Sequence, residues 1–84
     1  MSFPAPPALL DKLHTVQTLG LLDPQAKAPP PSPCIAVCRL DHTGQHCVGC
    51  LRTLPELQAW GTADAPERRA IWQRIAQRCE GPFN

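Results

Sequence analysis

Cys34, Cys38, Cys47 and Cys50 follow one another in the pattern C-x3-C-x8-C-x2-C, and they are four of the chain's five cysteines. Two pairs with spacers of two or three residues suit tetrahedral thiolate coordination. A short gap lets one tight turn aim both sulfurs at a point, and the eight-residue excursion returns the second pair opposite the first. Asp41-His42-Thr43-Gly44 supplies the turn between the pairs. Gly49 inside C-V-G-C leaves room for backbone N–H groups to face the sulfurs and stabilise them as thiolates. Zinc and iron both accept four cysteines, and so does an iron–sulfur cluster. The spacing matches neither the bacterial nor the plant-type ferredoxin pattern. C-V-G-C is also formally a redox C-x-x-C, but neither a long helix nor a βαβ pattern accompanies it. Zinc is therefore the first reading, an iron–sulfur cluster the second and thiol redox chemistry the third.

His42 and His46 lie in the same loop. Imidazole also suits zinc, but adjacent residues point apart, so His46 reads as a support behind Cys47 rather than as a ligand. Four thiolates leave no open coordination position, which catalytic zinc needs. No Ser/His/Asp grouping, framed carboxylate pair or phosphate-cradling glycine loop is present. The expectation is no catalytic residue, no enzyme and no small-molecule substrate.

The elements that must position these cysteines are few. With 84 residues the chain has length for one small domain, and such domains commonly need a disulfide or metal staple. The start of the chain lacks a cationic segment followed by an apolar run, as a secretory signal would have, and no stretch of about 20 apolar residues could span a membrane. These features place the chain in the cytoplasm, where clustered cysteines serve as metal ligands or catalytic thiols more than as disulfides. An odd count of five also fits a disulfide framework badly. A formal charge of +1 is far from the basic field of a general nucleic-acid binder.

Residues 6–19 read as an amphipathic helix with Leu9, Leu13 and Val16 on one stripe and Leu10 and Leu19 flanking it. Gly20 suits a left-handed cap, with Leu21 making the usual contact after it. Such a helix must dock, either on its own domain or on a partner; in the second case Leu9, Leu13 and Val16 are the partner-binding residues. Residues 23–33 hold five prolines and read as a semi-rigid spacer.

Beyond the cysteines, two helix starts echo each other: Thr53-Leu54-Pro55-Glu56 and Asp64-Ala65-Pro66-Glu67. Thr53 and Glu56 form a capping box, and Asp64 is an N-cap. The spacing predicts helices over about 54–60 and 65–79, ended by Gly61 and by Gly81-Pro82. Ile71, Trp72, Ile75 and Cys79 then share a face that Leu54, Leu57 and Trp60 can meet. Cys79 reads as a small buried hydrophobe. Arg68 falls beside the apolar stripe, where it either lays its stem over the core or faces an anionic metal–thiolate site. Arg52 lies close to that site in sequence.

Ser32-Pro33-Cys34, Cys38-Arg39-Leu40-Asp41, Cys47-Val48-Gly49-Cys50, Arg52-Thr53, Glu56, Trp60, Glu67-Arg68-Arg69, Trp72 and Arg78 together resemble a family of small bacterial proteins. It is the domain of unknown function numbered 1289, whose members are usually labelled predicted Fe-S proteins. The resemblance covers residues 32–78. It implies a cytoplasmic module with Cys34, Cys38, Cys47 and Cys50 as ligands, and no established reaction.

The expectation is thus a small α-rich, metal-stapled domain over residues 34–80. Its zinc-knuckle-like four-cysteine loop precedes a two-helix hairpin. An N-terminal arm, residues 1–22, is tethered by the linker 23–33. The metal is held by Cys34, Cys38, Cys47 and Cys50, with His46, Arg52 and Arg68 behind them. Function follows as an adaptor or accessory protein for another macromolecule, first of all a protein. An iron–sulfur electron-transfer or sensor protein is the alternative. A zinc-ribbon-like nucleic-acid contact through Arg68, Arg69, Arg74 and Arg78 ranks last, because acidic residues intersperse them.

Overall fold

Proline and glycine set the limits of the first helix. In the computed structural model, which describes residues 5–35 and 39–79, α1 spans Pro7–Thr18. Pro6 and Pro7 start it, where a missing N–H costs nothing. Gly20 ends it at φ 70. The N–H of Gly20 donates to the Gln17 carbonyl at 3.1 Å and that of Leu21 to the Val16 carbonyl at 3.0 Å, the paired bonds of a Schellman cap.

The other two helices start on side-chain caps. α2, Leu54–Ala59, opens on Thr53: its hydroxyl accepts from the Glu56 N–H, and Glu56 accepts from the Thr53 N–H at 2.9 Å. It tightens into a 3-10 turn over Trp60–Thr62. α3, Ala65–Arg78, starts where Asp64 accepts from the Glu67 N–H at 3.0 Å. Gly81 and Pro82, the expected stop, lie outside the described residues, as do Cys38 and residue 80 of the expected domain.

Leu9, Leu13, Val16, Leu51, Ile71, Trp72, Ile75 and Cys79 form one buried cluster together with Cys47 and Cys50. This answers what the α1 stripe faces. Leu9 and Leu13 are fully buried and Val16 is 1% exposed, so the face is closed within the chain and offers no surface to another molecule. The reading of these three as partner-binding residues is corrected accordingly. Leu10 packs beside them, whereas Leu19 is exposed. Leu57 and Trp60 pack on the cluster as expected. Leu54 does not; it is exposed.

The proline-rich segment is also not a free spacer. Pro30 and Pro33 are fully buried. Trp72 Nε1 donates to the Pro31 carbonyl at 2.8 Å, and Arg69 donates to the carbonyls of Leu21 at 3.3 Å and Ala26 at 2.9 Å. The segment straps α1 onto α3. Arg69 and Trp72 supply the donors that these strap carbonyls accept. A radius of gyration of 12.1 Å, close to the value of about 12 Å for a folded chain of this length, agrees with a docked strap. No regular strand occurs among the described residues; the cysteine segment makes two isolated antiparallel bridges, Leu40 with Cys47 and His46 with Thr53.

Candidate metal centre

The two bridges build the second cysteine pair. Asp41 organises the turn before it: its carboxylate accepts from the Thr43 hydroxyl at 2.9 Å and the Gln45 N–H at 3.0 Å, and lies 3.2 Å from His46 Nδ1. Slight burial pushes the Asp41 carboxyl up, but these hydrogen bonds and the neighbouring imidazole outweigh it and hold the carboxyl below its ordinary range. Gly44 turns the chain at φ 71. His46 is thereby buried as a partner of Asp41, which accounts for its place beside the cysteines.

A tight knuckle follows. The Leu51 N–H donates to the Cys47 carbonyl at 2.8 Å, and the Cys47 N–H to the Arg52 carbonyl at 2.9 Å. The left-handed residue here is Leu51, at φ 61, a conformation that residues other than glycine, asparagine and aspartate rarely adopt. Its side chain is 1% exposed, so burial in the core holds it there. Gly49 N–H points at Cys47 Sγ at 3.4 Å, and Arg52 Nε at Cys50 Sγ at 3.2 Å.

The two thiols of the knuckle respond in opposite directions. Burial pushes Cys47 up, but N–H groups of Cys50, Gly49 and Arg39 outweigh it and its pKa falls. At Cys50 burial wins over the Arg52 guanidinium and the pKa rises. Donors aimed at sulfur favour the thiolate, the form that binds metal.

Cys34, Cys47 and Cys50 line one cavity of about 190 Å³, with Arg39, Arg52, Leu40, Leu54 and Leu57 around it. Cys34 comes to it from the end of the strap. Cys38 lies outside the described residues. Among the described residues, no three His, Cys, Asp or Glu side chains are drawn together closely enough to hold an ion. The chemistry of these side chains nevertheless fits a thiophilic group: thiols on one cavity with N–H and guanidinium donors behind two of them.

The arginines divide the work. Arg52 touches Cys50 and stands 5.4 Å from the Trp60 ring centroid. Arg68 donates to the Trp60 carbonyl at 3.2 and 3.0 Å and stands 5.1 Å from the same ring. It thereby holds the C-terminal end of α2 and shares the Trp60 ring with Arg52, the arginine that touches Cys50. Arg78, one of the four arginines considered for a nucleic-acid contact, makes a two-pronged bond to Glu56 at 2.6 and 3.0 Å and reaches the Leu51 carbonyl at 2.9 Å. α3 is thereby fastened to the knuckle and to the start of α2. Arg74 adds a 3.3 Å contact to Glu56. Burial would raise the Glu56 pKa, but Arg78, the Thr53 N–H and Arg74 bring it down to about 2. With Arg69 and Arg78 bonded inside the fold and Arg68 on Trp60, Arg74 is the one of the four that is exposed, which leaves little of this set for a phosphate backbone.

Residues 32–79 match the family model described as a protein of unknown function (DUF1289). The chain belongs to that family. No curated protein and no solved structure matches. The matched DUF1289 segment begins at Ser32, so it contains the cysteines, α2 and α3 but none of α1. Among the described residues, no helix is long and apolar enough to cross a membrane.

Proposed function

We propose that the chain is a small metal-binding module in which Cys34, Cys38, Cys47 and Cys50 hold one structural zinc ion, and that the stapled domain serves another protein as an adaptor or accessory component in the cytoplasm. The observation that carries the reading is the shared cavity of Cys34, Cys47 and Cys50 with Gly49 and Arg52 donating to two of its sulfurs. A bound ion would tie the strap to the knuckle, two segments otherwise joined through a small core. The reading assigns no reaction, since four thiolates leave no open coordination position.

A second reading is an iron–sulfur group in an electron-transfer or sensor protein, since the thiols that line the cavity would serve a cluster as well as an ion. Metal analysis with an absorption spectrum, on protein purified without oxygen, separates the two. One zinc per chain and no visible colour supports the structural module. Iron and sulfide in comparable amounts, with brown colour, supports the cluster. Protein that carries neither, and takes up neither on reconstitution, overturns both.

A further inference from the structure

Cys34 reaches the cavity from a different segment than Cys47 and Cys50, and its own peptide group is held at both ends. Its N–H donates to Ser32 Oγ at 3.2 Å, while its carbonyl accepts from Lys12 Nζ at 2.7 Å. Lys12 sits on α1 three residues after Leu9 and four before Val16. That spacing puts it at the edge of the buried stripe, with its stem half-buried and its ammonium on the strap. A bond from a charged donor is shorter and stronger than one between neutral groups. Immediately upstream the strap is fixed by Trp72 on the Pro31 carbonyl and by burial of Pro30 and Pro33. Lys12 therefore fixes the peptide that joins Cys34 to Ile35. It does so from a helix that lies outside the family match.

We propose that Lys12 is a positioning residue for the metal centre: its bond to the Cys34 carbonyl couples the docking of α1 to the placement of the first cysteine. The N-terminal helix then governs how readily this side of the site opens. The inference rests on the reading of the cysteines as one site, but its test does not depend on which group they hold.

The test uses the full chain as purified, with whatever group it carries. Lys12→Met keeps the apolar stem and removes the ammonium; Lys12→Arg keeps a charged donor. The readout is the rate of iodoacetamide labelling at each cysteine, followed by mass spectrometry, with Cys47 in the same molecule as the internal control. The expected result is labelling of Cys34 about tenfold faster in Lys12→Met, the size expected for loss of one charge-assisted bond. Cys47 and the helical signal stay unchanged, and Lys12→Arg restores the slow rate. Equal rates at Cys34 in wild type and Lys12→Met overturn the proposal. So does a parallel rise at Cys34 and Cys47, which would report general loosening. Metal analysis of the wild type is read separately: an empty wild type removes the metal reading, and the Cys34-to-Cys47 contrast still decides the role of Lys12.

Discussion

Arg52 Nε lies 3.2 Å from the sulfur of Cys50, and the same guanidinium rests 5.4 Å from the centroid of Trp60. Cys50 is 2% exposed and Arg52 6% exposed, so the contact is shielded from water. A planar guanidinium held on an aromatic face has little freedom to leave its sulfur. On the proposed reading of Cys50 as a metal ligand, Arg52→Ala is expected to weaken metal binding about tenfold to a hundredfold, the usual cost of removing a group behind a ligand. Arg52→Lys, which loses the planar fork, recovers only part of it. Competition against a chelating dye measures both; equal affinities in all three proteins would refute the role given to Arg52.

Glu56 sits where three elements meet, with Arg78, Arg74 and the Thr53 N–H on one carboxylate. Its pKa falls from the ordinary 4.5 to about 2 on folding. A depressed carboxylate contributes stability that is complete above its unfolded value and is lost as pH falls through the folded one. Wild-type stability is expected to decline between about pH 4.5 and pH 2 on this account. In Glu56→Gln the decline over that window is shallower, and the loss at neutral pH is about 2 kcal/mol. Urea titrations at several pH values check this, and parallel pH curves for the two proteins would count against it.

Leu13 is fully buried in the shared core. Leu13→Ala is expected to destabilise the whole chain by about 3 kcal/mol, with helicity and tryptophan fluorescence lost in one transition. An arm that merely frayed would leave the fluorescence of Trp72 and Trp60 unchanged while part of the helical signal disappeared.

Leu51 combines a left-handed backbone with a buried side chain. Leu51→Gly relieves about 1 kcal/mol of backbone strain but forfeits a buried leucine, about 3 kcal/mol. The expected net loss is about 2 kcal/mol, measured by chemical denaturation. A stabilised variant would mean that strain outweighs packing at the knuckle.

Local chemistry was legible in the sequence and distant partnership was not. Thr53 with Glu56, Asp64, and Gly20 with Leu21 each act within a few residues, so their identities predict the caps that form. The stripe of Leu9, Leu13 and Val16 was legible as a face, but periodicity says nothing of what covers it. The strap was misread for the same reason. Its prolines promise an extended conformation, whereas its docking depends on Arg69 and Trp72, more than forty residues away. Glu56 had a visible role as a cap; its second role with Arg78 required knowing that α3 returns to the start of α2. At the cysteines, the spacing pointed to a common site for Cys34, Cys38, Cys47 and Cys50, of which Cys34, Cys47 and Cys50 line one cavity and Cys38 lies outside the described residues; donors behind the sulfurs were foreseen at Gly49 and Arg52, both close in sequence to the cysteines they face.

The shared core of α1 and α3 sets an order of events during synthesis. α1 leaves the ribosome before the cysteine loop, and α3 follows after it. Until α3 emerges, Leu9, Leu13 and Val16 have no Trp72 or Ile75 to pack on, and the nascent chain carries an uncovered apolar face. These elements cannot close in the order in which they are made: α1 must wait for α3.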